Sequence, residues 1–499
     1  MRSPNKPKVL LIGWDGASWS NIHPLLDSGA MPALARIIEN GVMGELAGLP
    51  VPSSPLLWTT LATGYLPDKH GILDSVEPDP RSGGVRPVTR ASLCAVPVWD
   101  ILARLGLRSQ VVGWPATHPA TPPAVCVSDG FAYGIPQSIS PAELESTLSP
   151  LRFQPQEWTG DDLRLFVPEL ARIDQDKDKR PAKLAVILAQ AASVQAATTA
   201  LMERDHWDFT AVRFPTIAQA SELFPKGSEE IYREVLAGAY RFLDLFLNTL
   251  LRLAGDDTIA MLVSERACDG GRGMICASGE GIEADELTFG ASLLDVAPTV
   301  LGLYGFAPAP GMSGAPIRDV CRSAPSQAVN PAHCVPPPVP EVPQELEQDL
   351  RDLAALGYTD RIAPALQAQA ERARKRRELH LARVLLATDR AEDAVGPLEK
   401  LVAQDAANFE VRFYLGHAYF RSGQVAECRA LCETLLAESP DSPLGPLIRV
   451  HLAMAEGRYG EARTHLVSAR DTHGVTAPLD AAIGEAHLRI GQWSEAAEA

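Results

Sequence analysis

Lys8-Val9-Leu10-Leu11-Ile12-Gly13-Trp14-Asp15-Gly16 is the stretch on which the fold turns. It is a short apolar run ending in an acid and a glycine, the pattern of a buried strand that delivers a carboxylate to the carboxyl edge of a sheet. Downstream, Pro52-Ser53-Ser54-Pro55-Leu56-Leu57-Trp58-Thr59-Thr60-Leu61-Ala62-Thr63-Gly64 puts a hydroxyl in a proline-punctuated turn just before a helical segment. A hydroxyl at a helix start beside a carboxylate at a strand end is what a metal-assisted nucleophile needs. As isolated residues, Asp15 also reads as a helix cap and Ser54 as a turn hydroxyl.

Outward from that stretch, residues 8 to about 130 alternate strand-like and helix-like segments. Residues 9–12 read as a strand, 31–40 as a helix with Leu34, Ile37 and Ile38 on one side, 96–105 as a helix and 110–113 as the return to a strand. This alternation predicts an α/β sandwich with a largely parallel sheet. Residues 131–185 are proline-rich and irregular, as in a cap or insertion over the sheet edge. Long helices are expected over 181–203 and 231–253, and strands over 209–214 and 258–263. From 322 to 345 the composition shifts to proline, serine and alanine, which reads as a semi-rigid linker.

A chain of 499 residues is too long for one core, so two or three domains are expected. The formal net charge of −17 argues against a nucleic-acid partner, because counterion release needs clustered Lys and Arg. The eight cysteines contain no Cys-x-x-Cys pair, and Cys428 and Cys432 lie four apart on one helix face. They read as reduced thiols, and the expected location is cytoplasmic. The apolar run before Asp15 is too short for a signal-peptide core, and no uncharged apolar stretch is expected to reach the ~20 residues that span a bilayer.

At these residues the chain resembles the alkaline phosphatase superfamily, in its type I phosphodiesterase/nucleotide pyrophosphatase branch, over roughly residues 8–320. Supporting matches in the same order are Pro67-Asp68-Lys69-His70-Gly71-Ile72, Trp99-Asp100-Ile101-Leu102, Val112-Gly113-Trp114-Pro115-Ala116-Thr117 and Leu294-Asp295-Val296-Ala297-Pro298-Thr299. The resemblance implies two metal ions held by carboxylates and imidazoles, with a Ser or Thr attacking phosphorus between them. Asp15 matches the first metal ligand and Ser54 the nucleophile.

The other ligand positions depart from the family. Its Asp-x-x-x-His element falls on Ala218 and Glu222, its Ser-Asp-His-Gly strand end on Ser264-Glu265-Arg266-Ala267, and its final His on Asp269. Ala218 has no donor atom, and an arginine repels a dication and does not deprotonate. Zinc favours imidazole and thiolate over isolated carboxylates, so a two-zinc site is not expected and Asp15 is left as a doubtful metal residue. One remnant is a single Mg²⁺ or Zn²⁺ ion on Asp15, Glu222, Glu265 and Asp269. The favoured alternative puts Arg266 in the cation's place, paired with Asp15 or Glu265. His23, His70, His118 and His206 read as ordinary polar or structural residues. Leu57 stands where nucleotide pyrophosphatases carry a phosphate-holding Asn, which argues against nucleotide substrates.

The tail repeats. Ala394, Cys428, Ala462 and Ala496 recur every 34 residues, as do Gly423, Gly457 and Gly491. This resembles the tetratricopeptide repeat, whose helix pairs stack with small residues at the crossings. The division expected is 1–321 for the phosphoesterase-like domain, 322–345 for the linker, 346–374 for a linking helix, and 375–499 for about four repeats, the last incomplete. Arg383, His417 and His451 share one repeat position, with Phe420 and Met454 three residues beyond the latter two. They are expected to line a groove for an acidic or amphipathic protein segment.

Together these readings predict a degenerate phosphodiesterase-like protein, a pseudoenzyme with Ser54 as a vestigial nucleophile. It would sense a phosphorylated ligand or bind a protein, without metal, membrane or nucleic acid. The alternative is an active phosphoester hydrolase or phosphotransferase that uses Ser54 with an altered metal site.

Overall fold

The structure, a computed structural model, describes residues 6–336, 366–439, 442 and 444–473. The chain divides into two compact units, one chiefly of residues before the linker and one chiefly of the helices from Leu366 onward.

The first unit is built on one mixed, mostly parallel sheet. Its strands are β1 (Lys8–Trp14), β2 (Gly41–Leu46), β5 (Ser109–Val112), β6 (Val125–Val127), β7 (Ile139–Ser140), β8 (Phe209–Phe214), β9 (Thr258–Arg266), β10 (Arg272–Ser278) and β11 (Glu286–Thr288); β3 (Val76–Pro78) and β4 (Val85–Pro87) form a separate hairpin. The order across the sheet is β11-β2-β10-β9-β1-β8-β5-β6-β7. β1 lies at the centre, parallel to both β8 and β9. Val9 to Ile12 are fully buried, as expected of a central strand covered by helices on both faces.

The helices Pro32–Glu39, Arg180–Arg204 and Val235–Ala254 pack on this sheet through Leu34, Val194, Leu243 and Leu247. The expectation that no apolar stretch approaches bilayer-spanning length does not hold for Arg180–Arg204, which is long and apolar enough by length and composition. Most of its apolar window is buried among the unit's own elements, where an uncharged helix needs no other partner.

Residues 131–180 do more than cap the sheet. Ile139–Ser140 supplies a buried edge strand, while Leu163, Phe166, Val167 and Leu170 make a small core with Leu184, Leu188 and Tyr232. The first part of the expected linker is also fixed to this unit. Ala307 donates to the Gln327 carbonyl at 2.8 Å, and Arg104 Nη1 donates to the carbonyls of His333 and Val335, both at 2.8 Å.

The second unit is a run of antiparallel helices, Leu366–Ala387, Ala391–Gln404, Phe409–Arg421, Val425–Glu438, Gly445–Ala455 and Tyr459–His473. Residues 366–374, expected in a linking helix, belong to the same helix that carries Arg383. The rest of that element and the fourth repeat lie outside the described residues. Ala394, Cys428 and Ala462 are fully buried, the small residues that let successive helices approach. All eight cysteines are free, with the Cys428 and Cys432 sulfurs 3.9 Å apart.

Candidate functional site

Asp15 follows β1 directly and is held by backbone on both sides. Its N–H donates to the Phe214 carbonyl at 3.0 Å, and its own carbonyl accepts from Ala218 N–H at 2.9 Å. Gly16 then turns the chain with φ +81°, and a Cβ there would lie 3.1 Å from the Ala218 backbone. The turn therefore needs glycine twice over, for its conformation and for the close approach.

Ser54 opens the helix Ser54–Thr63, started by extended Ser53 with Pro55 in the first turn and closed by Gly64 in the left-handed region. Its hydroxyl donates to Asp15 Oδ2 at 3.0 Å. The strand-end carboxylate and helix-start hydroxyl are thus in contact.

The third member is Arg213, from β8. It is level with Gly13 of β1 in the parallel register. Its guanidinium is ion-paired and hydrogen-bonded to Asp15, while Nη2 also donates to Ser54 Oγ at 3.1 Å. The guanidinium carbon lies 5.4 Å from the Trp58 ring centre. Room for this stack comes from Gly13, where a Cβ would fall 2.6 Å from the Trp58 ring.

Glu265 completes the cluster from β9, with no solvent exposure. Burial, then the neighbouring Asp15 charge, push its pKa well above the ordinary value, which favours its protonated form beside Asp15. Burial acts to raise Asp15 as well, but the Arg213 charge and the bonds from Glu265 and Ser54 outweigh it and hold Asp15 low. The cluster therefore joins two carboxyl groups, Asp15 held low and Glu265 pushed up, to one guanidinium and one hydroxyl. Nearby Asp129 accepts from Ala116 N–H at 3.2 Å, and burial pushes its pKa up to about 6 against the pull of Arg213.

Arg266, the arginine expected to take the cation's place, does not do so. Its side chain is 44% exposed and its Nε is 4.0 Å from Glu265 Oε1, while Arg213 holds Asp15. Glu265 and Arg266 are consecutive strand residues and point to opposite faces, so burying one exposes the other. Glu222 is exposed on the helix Thr216–Leu223, and exposed Asp269 accepts from Ser20 Oγ. Neither joins Asp15 and Glu265.

This donor set does not fit the two-metal centre of the family. Of the expected carboxylates only Asp15 and Glu265 meet, the first ion-paired to Arg213 and the second with its pKa raised by burial. Ala218 stands beside Gly16 without a donor, and among the described residues no three His, Cys, Asp or Glu side chains are placed to hold an ion. His70 is buried at 3.0 Å from Thr60 Oγ1 and accepts from Ile72 N–H, with its pKa lowered to about 3 by burial. His118 contacts Ser128 Oγ at 3.1 Å and is lowered to about 4.

Sequence reasoning missed Arg213, although the signal was present. Every other residue of Phe209–Phe214 except Thr210 is apolar and the whole strand is buried, so an arginine inside it requires a buried carboxylate partner.

In the repeat unit the expected groove residues divide into buried and partly exposed side chains. His451 and Met454 are each 7% exposed. His451 stacks against Phe413 and Phe420 at 5.4 and 5.8 Å and meets His417 edge-on at 4.6 Å. Arg383 lies 5.2 Å from the Tyr414 ring centre and 3.9 Å from Glu410. At this position His451 and Met454 are packed between helices, whereas Arg383, His417 and Phe420 stay partly exposed.

A family model described as type I phosphodiesterase/nucleotide pyrophosphatase matches residues 9–266, and a tetratricopeptide repeat model matches 385–445. A search of curated proteins returns no match. Among solved structures, phosphonoacetate hydrolase from Sinorhizobium meliloti 1021 with phosphonoformate is 18% identical, over 53% of this chain and 59% of that one, with a TM-score of 0.34. A putative sulfatase from Bacteroides thetaiotaomicron VPI-5482 is 12% identical over 64% and 75%, with a TM-score of 0.43. A variant of alkaline phosphatase PafA is 13% identical over 64% and 100%, with a TM-score of 0.41. The family model spans more than half of the sequence and includes Asp15, Ser54, Arg213 and Glu265. The chain belongs to the type I phosphodiesterase/nucleotide pyrophosphatase family and carries tetratricopeptide repeats behind its phosphodiesterase-like domain.

Proposed function

We propose that the phosphodiesterase-like unit is a pseudoenzyme, a folded ligand-sensing or protein-interaction module whose appended repeats recruit a protein or peptide partner. The observation that carries this reading is the Arg213 guanidinium bound to both Asp15 and Ser54. A guanidinium supplies charge but neither coordinates a metal nor accepts a proton. It engages the lone pair that Ser54 would use to attack, and it satisfies the carboxylate that would hold an ion. Tetratricopeptide repeats generally mediate protein–protein interaction, which supports the recruiting role. The eight free thiols support a reducing, cytoplasmic setting.

A second reading rests on the 3.0 Å bond from Ser54 Oγ to Asp15, which has the geometry of a nucleophile and its base. It is disfavoured because the same arginine holds Asp15 below the usual carboxylate range, making it a poor proton acceptor. One experiment separates the two. The purified full chain is incubated with an aryl phosphomonoester and an aryl phosphodiester, with added zinc, magnesium or manganese, beside Ser54→Ala. Equal, background-level release from both proteins, and no stoichiometric metal by elemental analysis, are expected. Turnover that disappears in Ser54→Ala, or two tightly bound zinc ions, overturns the proposal.

A further inference from the structure

The two edges of the large sheet are finished differently. At one end β7 is buried, covered by the insertion that supplies it. At the other end β11 pairs with β2 alone, in parallel, with Glu286, Leu287 and Thr288 level with Val42, Met43 and Gly44. The chain stays alongside β2 beyond the strand: Ala47 donates to the Ala291 carbonyl at 2.8 Å and Leu293 donates to the Ala47 carbonyl at 3.1 Å. An edge about as long as an ordinary strand therefore has no neighbouring strand among the described residues.

Most side chains along this edge face solvent, Glu286 among them. Thr288 turns inward and is 2% exposed, whereas Leu287 and Phe289 are 55% and 82% exposed. Natural edges are usually blunted by lysine, proline, a bulge or a covering element, because an open row of backbone groups with apolar neighbours recruits another strand. Here the nearby charge is acidic. Glu280, Glu283, Asp285 and Glu286 are all exposed, and Arg322 answers Glu283. That sign disfavours a second copy of this chain, which would bring the same carboxylates against themselves.

We propose that the β11 edge is a docking site for a basic, extended segment of a partner protein, which adds as a further strand. Its backbone pairs with 286–289, an apolar side chain covers Leu287 and Phe289, and flanking Lys or Arg residues meet the carboxylates. The site is independent of the Asp15–Arg213 cluster and of any catalytic activity.

The probe is a fluorescent peptide of alternating valine and lysine, titrated into the full chain at low salt. The controls are the same peptide with proline at alternate positions and one with glutamate for lysine. Binding of the lysine peptide alone is expected, together with slowed amide exchange at residues 286–292. Affinity should fall at least about tenfold in both Phe289→Ser and Glu286→Lys, surface changes that leave the melting temperature in place (a tenfold change is about 1.4 kcal/mol). No binding, binding that is indifferent to both substitutions, or protection elsewhere overturns the proposal. So does sedimentation showing a dimer of the chain that Phe289→Ser converts to monomer, since the occupant is then a second copy.

Discussion

Arg213 in β8 reaches across to the carboxylate of Asp15, the residue that leaves the neighbouring β1, and the two form an ion pair with almost no solvent contact. Both backbones are anchored by parallel-sheet register, so once the sheet has formed only the side chains remain to be ordered. The same guanidinium also donates to Ser54 Oγ at 3.1 Å.

Removing the guanidinium leaves Asp15 buried and unpaired. Arg213→Met is expected to destabilise the phosphodiesterase-like unit by about 3–5 kcal/mol, the usual cost of breaking a buried pair from one side. Adding Asp15→Asn should recover much of that loss, because the amide carries no charge to strand. Guanidinium-chloride unfolding of the two variants beside the wild type measures both effects. Equal stability of Arg213→Met and wild type would mean that the pair contributes nothing.

Glu265 sets a pH dependence of definite sign. Its folded pKa is raised well above the ordinary 4.5, so the folded protein keeps a proton that the unfolded chain releases. The stabilisation is complete below that value and is lost as pH climbs toward the folded pKa. Asp129 adds a loss in the same direction between 3.8 and about 6. Asp15 has the opposite sign: it is held below 3.8, and its contribution disappears only as pH falls through the acid range. Buried His70 and His118, lowered to about 3 and about 4, share the sign of Asp15 and lose their contribution as pH falls below 6.5, so the decline due to Glu265 is read as the difference between wild type and a variant that lacks its carboxyl. Glu265→Gln, whose amide can still donate to Asp15, should flatten that decline. A variant as steep as the wild type would place the proton elsewhere.

The sequence made the skeleton of this site legible but not its charge balance. The apolar run 8–14 and the proline-opened helix Ser54–Thr63 located Asp15 and Ser54, because strand burial and helix starts leave local signatures. Arg213 escaped because motif matching examines positions where ligands are expected, and Arg213 is not one of them. Only the physical anomaly of a cation in a buried strand marks it. Residues 322–335 have linker composition, yet Gln327, His333 and Val335 bond back to the domain. The 34-residue period correctly grouped His417 with His451, but a period names equivalent positions without saying whether they face a ligand or the next helix.

Gly13 is the spacing element beneath Trp58. A methyl group there would meet the indole ring at 2.6 Å, and Trp58 is itself fixed edge-on against Trp114 at 5.1 Å. Gly13→Ala must therefore displace a large buried ring, at a cost of about 1–3 kcal/mol typical of overpacked cores. Because Arg213 stacks near the same ring, the tryptophan emission and the thermal midpoint should shift together. An unchanged midpoint would show that the ring has room to move.

In the repeats, burial lowers His417 to about 4 and His451 well below 6.5. Arg421 adds to the effect at His417, and His417 adds to it at His451. The unfolded chain takes up protons near pH 6.5 that the folded repeats refuse, so their stabilisation is full above that pH and falls as the solution is acidified toward about 4. The geometry explains why protonation is resisted: His451 lies against Phe413 and Phe420 with its Nδ1 lacking a partner. His451→Leu should fit this apolar setting and make the repeats less acid-sensitive. Amide exchange over 409–455 in the full chain, compared at neutral pH and near pH 5, reads this directly. Wild-type exchange should quicken in acid more than that of His451→Leu, and equal acceleration in both would remove His451 as the cause.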